Sequence, residues 1–253
     1  MPYLKINGIK AYFSGDIKRE SLPVLFCHGS GGGHQHWHYQ RKNLPLSVNP
    51  IVFDLPGHGH SEGNAFDKIS LYREWVRSFY KTLGLNRHIL AGHSMGGAIA
   101  LSYALKYPEN LSGLILISTG ASLKVAPAIL EKLQNSRIPE TMLNLLYAPD
   151  APEQLINLGR REIAKLDPSV CLADFTACNS FDIMEQLPLI KIPSLIICGS
   201  QDIMTPIKYS RFLKENLIHS RMEIIEKAGH MVMLEKPQAV TQAITNFIEE
   251  DLL

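Results

Sequence analysis

The sequence is short of several things, and each shortage removes a class of function. Neither sign of charge dominates: 25 Lys and Arg face 24 Asp and Glu, spread along the chain rather than clustered. The electrostatic footprint of a nucleic-acid-binding protein is therefore missing. No stretch reaches the roughly 18 uninterrupted apolar residues of a membrane span, and Met1 to Lys10 has no apolar core of signal-peptide length. The expectation is a soluble cytoplasmic protein that acts on a small molecule, with no nucleic-acid partner and no membrane span. The four cysteines, Cys27, Cys171, Cys178 and Cys198, show no metal-ligand spacing, and two of them sit in apolar runs, which suits buried reduced thiols. Repeats and low-complexity tracts are also absent.

What is present is the makings of a large core. Hydrophobic residues are 45% of the 253 and charged residues 19%, a globular composition. Tyr3 to Ile6 and Lys10 to Ser14 flank Asn7-Gly8, the dipeptide that best tolerates the two positive φ angles of a tight hairpin turn. Val24 to Cys27, Ile51 to Phe53, Ile89 to Leu90, Leu114 to Ile117, Leu195 to Cys198 and Met222 to Ile225 are short apolar or mixed runs that read as strands, most of them covered on both faces. Helices are predicted between them: one capped by Ser70 and ended by Gly84, one over Met95 to Tyr107 stopped by Pro108, and two opened by Pro206 and Pro237. Strands alternating with helices imply a mostly parallel sheet. Between about 121 and 188 the alternation lapses into helical pieces broken by prolines, which reads as an inserted helical cap. Residues 1–120 and 189–253 are then the core.

One motif carries chemistry. Gly92-His93-Ser94-Met95-Gly96 follows a predicted strand and opens a predicted helix, the context that gives a G-x-S-x-G match its meaning. Such a turn strains the backbone at the serine, and the glycines remove the clashes that would forbid it. A serine hydroxyl needs a base, and the base needs a group that fixes its tautomer. Asp202 follows the strand Leu195 to Cys198, and His230 follows the strand Met222 to Ile225. The other histidine beyond Asp202, His219, ends a helical segment and reads as exposed. Backbone N–H groups of Met95 and of Ser30, within His28 to Gly33, are the candidate donors for an oxyanion. The glycine run lacks the Lys and Ser/Thr of a phosphate-binding loop.

Together with Asp54-Leu55-Pro56-Gly57-His58-Gly59-His60-Ser61, these motifs resemble those of the α/β-hydrolase superfamily, in its capped esterase and lipase-like branch. The resemblance spans nearly the whole chain except the cap. It implies an eight-stranded, mostly parallel sheet with an antiparallel second strand, flanked by helices, and a site between core and cap. It also implies that Asp54 to Ser61 is structural. Serine at the elbow argues against haloalkane dehalogenases and epoxide hydrolases, which use Asp there. The leading expectation is a carboxylesterase with Ser94, Asp202 and His230 as its triad, acting on a small or medium apolar acyl group without a cofactor. Thioester cleavage uses the same machinery. Carbon-carbon hydrolysis of vinylogous diketones is a further alternative, though such enzymes typically carry Asn before the nucleophile, where this chain has His93. A ligand-binding receptor that retains the triad is the remaining one.

Gly29, Trp37, His93, Phe181 and Met231 are expected to contact substrate. His34, His36 and His38 alternate around Trp37, but no carboxylate or further His near them in sequence completes a metal site, so none is expected. The predicted cap holds six Lys or Arg against nine Asp or Glu, which offers little attraction to acidic substrates.

Overall fold

The structure is a computed structural model that describes residues 2–16, 21–139 and 141–252. Eight strands form one sheet: β1 (Tyr3–Ile6), β2 (Ile9–Ser14), β3 (Leu22–Cys27), β4 (Val48–Phe53), β5 (His88–His93), β6 (Leu111–Ile117), β7 (Ser194–Gly199) and β8 (Ser220–Ile225). Their order across the sheet is β1-β2-β4-β3-β5-β6-β7-β8. β2 runs antiparallel to both of its neighbours, and every other pairing is parallel. This is the expected fold, with each strand found where an apolar run predicts it. Several begin two or three residues earlier than the apolar run alone suggests. The β1–β2 turn carries φ of 48° at Asn7 and 88° at Gly8, as the dipeptide requires.

The helices are α1 (His38–Asn43), α2 (Ile69–Thr82), α3 (Met95–Lys106), α4 (Pro127–Gln134), α5 (Met142–Leu146), α6 (Glu153–Ile163), α7 (Pro168–Asn179), α8 (Ile207–Asn216), α9 (Val232–Glu235) and α10 (Pro237–Asp251). Among the described residues no helix is long and apolar enough to cross a membrane. One correction concerns α2: the chain enters the helix at Lys68, so Ser70 lies inside the first turn rather than capping it. Lysine supplies no capping oxygen, and the amphipathic face of Tyr72, Trp75, Val76 and Phe79, buried against the sheet, sets the start instead.

Consecutive residues of the central strands point to opposite faces. Leu25, Leu90, Leu116 and Ile196 pack with α2, α3 and α8, whereas Val24, Phe26, Ile89, Ile115 and Ile197 pack with Trp37, α9 and α10. All nine of these strand residues are fully buried, as a sheet covered on both faces demands. Between β6 and β7, residues 121–188 contain α4 to α7. Leu133, Met142, Cys171 and Phe175 pack together as a separate small core there. The four cysteines are free and buried.

Candidate active site

The strand-to-helix turn at Ser94 is built as the motif requires. Ser94 has φ 52° and ψ −116°, in the left-handed half of the backbone map that a residue with a Cβ seldom occupies. Its N–H donates to the Ile117 carbonyl at 2.9 Å, and its own carbonyl accepts from the Thr119 hydroxyl at 2.8 Å and the Gly97 N–H at 2.9 Å. The end of β6 and the first turn of α3 thus hold the strained residue from both sides. A Cβ at Gly92 would fall onto the Gly96 carbonyl, and one at Gly96 onto the Cys27 carbonyl, so the turn closes only with glycine at both places.

Asp202 and His230 meet at the ends of β7 and β8. His230 Nδ1 lies 2.9 Å from Asp202 Oδ2, and both side chains are buried. The other carboxylate oxygen, Oδ1, accepts the N–H groups of Met204 and Thr205, each at 2.9 Å. The Thr205 hydroxyl donates to Oδ2 at 2.8 Å and stands 3.3 Å from His230 Nδ1. Burial alone would raise the Asp202 pKa. Attraction to His230 and the hydrogen bonds from His230 and Thr205 outweigh it and hold the carboxyl below its usual value. It is therefore an anion at neutral pH, and it holds Nδ1 in its protonated form, leaving Nε2 as the basic nitrogen. Thr205 lies in the stretch Asp202 to Pro206, one of the motifs that resemble the α/β-hydrolase superfamily, and an Asp that accepts N–H groups two and three residues on is a recognisable turn pattern.

Ser94 and His230 line one cavity of about 290 Å³, together with Gly29, Ser30, His93 and Met231. The Ser94 hydroxyl makes no hydrogen bond with any described side chain, and none joins it to His230. The N–H of Met95 stands at the start of α3, where the first N–H groups have no intrahelical acceptor. Neither it nor the Ser30 N–H has an acceptor among the described residues. Gly29 lies against the site so closely that a Cβ there would come within 2.9 Å of His93 Nδ1 and 3.1 Å of Ser94 Cβ.

His93 Nε2 lies 3.0 Å from the His230 carbonyl, an acceptor only, so this nitrogen carries the proton. Burial, reinforced by His230, holds the His93 pKa well below its ordinary value, so the ring is neutral. Two expected substrate contacts fall elsewhere. Trp37 is fully buried against Phe26, with ring centroids 5.0 Å apart, because residues 34–37 coil into a tight turn that carries its ring onto the face of the sheet at β3. Phe181 ends the turn after α7 and joins the main hydrophobic core. Neither lines the cavity.

Gly31, Gln35, His36, Met204 and Leu234 of the core also line it, and the other walls come from residues 121–188, Met142, Leu146, Tyr147, Ile163, Leu166 and Phe175 among them. Asp174, on α7, is the point where this segment is bolted down. Its fully buried carboxylate accepts the Gly31 N–H at 2.9 Å, His58 Nε2 at 2.8 Å and the Tyr72 hydroxyl at 2.5 Å. Burial lowers the His58 pKa, but the Asp174 carboxylate beside it more than offsets this and holds the imidazole above its ordinary value. A second tie runs through Glu235, whose buried carboxylate accepts the Gly229 N–H at 2.9 Å and the Ala148 N–H at 3.0 Å. Met231 N–H also donates to the Leu146 carbonyl at 2.9 Å. The loop bearing His230 is thereby held, on both sides of the histidine, to the end of α5 and the residues just after it. Neither carboxylate carried a local sequence signal.

His34 has partners that sequence proximity did not reveal. Its Nδ1 lies 2.9 Å from both oxygens of the buried Asp54, and His60 completes a group whose candidate ligand atoms all lie within 4.8 Å of one another. His36 and His38 are not part of it. Asp54 is already engaged, since it accepts the backbone N–H groups of His34 and His60 at 2.6 and 2.9 Å. Its visible role is to pin two loops together, as the resemblance implies for the Asp54 to Ser61 segment.

Comparison with known proteins bears on the family and the fold. Residues 24–243 match the model of the alpha/beta hydrolase family. The monoacylglycerol lipase abhd6-B of Xenopus laevis is 28% identical over 97% of this chain and 81% of its own length. The 2-hydroxy-6-oxo-6-phenylhexa-2,4-dienoate hydrolase of Comamonas testosteroni is 26% identical over 91% of this chain and 89% of its own. Among solved structures, a thermophilic esterase from Thermogutta terrifontis superimposes with a TM-score of 0.89 at 26% identity, covering 99% of both chains. The chain belongs to the alpha/beta hydrolase family.

Proposed function

We propose that the protein is a carboxylesterase that cleaves esters of small or medium apolar acyl groups through an acyl-enzyme, with Ser94, His230 and Asp202 as its triad. The observation that carries this reading is the strained elbow at Ser94 opening into the same cavity as a histidine whose far nitrogen is held by a buried carboxylate. Ser94 Oγ attacks the ester carbonyl carbon while His230 Nε2 takes its proton. The carbonyl oxygen becomes an oxyanion, accepting the free N–H groups of Ser30 and Met95. Asp202 stabilises the imidazolium, which then protonates the departing alcohol. Water, deprotonated by His230, attacks the acyl-enzyme and releases the acid.

The segment 121–188 acts as a cap over this chemistry, and its largely apolar walls select the acyl chain. Resemblance to a lipase and to an esterase fits an ester substrate. Neutral His93 at the position before the nucleophile departs from the asparagine typical of carbon-carbon hydrolases, which keeps that chemistry in second place.

The test is release of nitrophenol from p-nitrophenyl esters of rising acyl length by the wild type and by Ser94→Ala and His230→Ala, each checked for folding. Turnover that peaks at one chain length and vanishes in both variants is expected. A wild type inactive on every ester, or a Ser94→Ala that keeps its rate, overturns the assignment.

A further inference from the structure

Ser94 borders a second, narrower cavity of about 50 Å³. Phe175, Cys178 and Met204 wall both this space and the main cavity, so the two adjoin at the serine. At its other end the narrow space is lined by Lys124 and Tyr209, and the same two residues line an open surface pocket that also includes Lys208. Ser94 therefore stands at a junction. On one side is the roomy apolar chamber; on the other, a constricted neck between the first residues of the 121–188 segment and the start of α8 leads toward two lysines.

Both lysines are exposed, and neither lies within 4.0 Å of a carboxylate among the described residues. Lys124 Nζ donates to the Asn179 carbonyl at 3.3 Å, and Lys208 Nζ sits 5.8 Å from the Tyr209 ring centroid. Asp182, the acid at the same opening, is engaged by the Ser122 hydroxyl at 3.1 Å and the Met184 N–H at 3.2 Å. The segment as a whole is acidic, yet its opening here carries an excess of positive charge. Leu123, Val125, Phe175, Cys178 and Met204 are five of the nine residues lining the neck, and such walls solvate a charge poorly. Only a chain whose apolar stem passes through and whose charged end emerges beside the ammonium groups satisfies both ends.

We infer that the neck is a second arm of the substrate site and takes a short chain ending in a carboxylate, which rests at Lys124 and Lys208 while the longer apolar arm of the same ester fills the main cavity. This rests on the esterase reading and sharpens it: the substrate class is a two-armed ester with one long apolar arm and one short anionic arm. Lys124 and Lys208 are then specificity-determining residues.

Four esters test it. Monooctyl succinate and carboxymethyl octanoate carry the anion on opposite sides of the ester, and octyl levulinate and acetonyl octanoate are their uncharged counterparts. The wild type is expected to favour one anionic ester over its counterpart by about fivefold in kcat/KM, chiefly through KM, and less so as salt rises. In the Lys124→Gln, Lys208→Gln double variant that ratio falls to about one, while Lys124→Arg with Lys208→Arg keeps it. No anionic preference in either pair, or a preference that survives the double glutamine variant, overturns the inference and leaves the esterase reading standing. Failure of the wild type on all four esters and on every p-nitrophenyl ester removes both.

Discussion

The core and the segment 121–188 solve different problems with different materials. The core presents its proposed reacting groups from strand ends, where backbone ladders and buried neighbours fix each atom: Ser94 is clamped by Ile117 and Thr119, and Asp202 is held by two N–H groups and a hydroxyl. The segment contributes short helices with a small core of their own, and its side chains in the cavity are mainly apolar. Reaction chemistry needs positions held within a fraction of an ångström, whereas selection of an acyl chain needs only shape and dryness. Asp174, the single fully buried charge among the segment's described residues, serves to attach it.

That division is broken or sharpened by four measurements. The largest effect belongs to the core: Ser94→Ala should cut kcat/KM on p-nitrophenyl butyrate by at least about 10⁴-fold, with Tm close to the wild type, because the strain at this position is in the backbone. Retention of a tenth of the rate would place the chemistry elsewhere. Next comes the joint. Asp174→Asn keeps the shape but removes the charge facing His58, and unfolding in urea should show a loss of about 2–4 kcal/mol. Because Gly31 adjoins Ser30, kcat should drop about tenfold with KM little changed; an unaltered kcat would make Asp174 a purely structural anchor.

Within the segment, Met142→Ala enlarges the apolar wall without touching the core. The ratio of kcat/KM for dodecanoyl to acetyl esters should rise about tenfold, read from the p-nitrophenyl series, and a flat series would remove Met142 from the acyl site. The smallest effect is pH-dependent. The folded His58 pKa lies above its ordinary 6.5, so the pair with Asp174 stabilises fully below that value and loses its contribution as pH rises through the raised one. The Tm advantage of the wild type over His58→Gln should shrink by about 3 °C between slightly acidic and alkaline buffer, measured by calorimetry. A constant difference would mean that His58 is bound as a neutral ring.

Sequence legibility follows the same divide. Strand and elbow signals are local: apolar runs, Asn7-Gly8, and a glycine on each side of His93-Ser94-Met95 sufficed to find every strand and to nominate Ser94, Asp202 and His230, whose geometry is as described. Asp174 was invisible because its partners lie 143, 116 and 102 residues away, at Gly31, His58 and Tyr72. His34 looked partnerless for the same reason, since Asp54 and His60 reach it only through the sheet's loops. Trp37 and Phe181 misled in the opposite sense: an aromatic near a glycine-rich loop or at the end of an apolar stripe has no fixed phase until the packing on each side is known, and both were drawn into the core.

The bonds that Glu235 and Met231 make to Ala148 and Leu146 have a consequence for how the protein could be altered or could diverge. On the proposed function, they make the acid–base loop and the acyl-selecting helices share fasteners, so the two become thermodynamically reciprocal: a substrate that settles α5 also steadies His230, and slack in the loop is felt as weaker binding. A new selecting segment grafted between β6 and β7 would need to bring a free N–H where Ala148 stands and a carbonyl where Leu146 stands. Modular as it looks along the chain, that segment is not interchangeable without its latch.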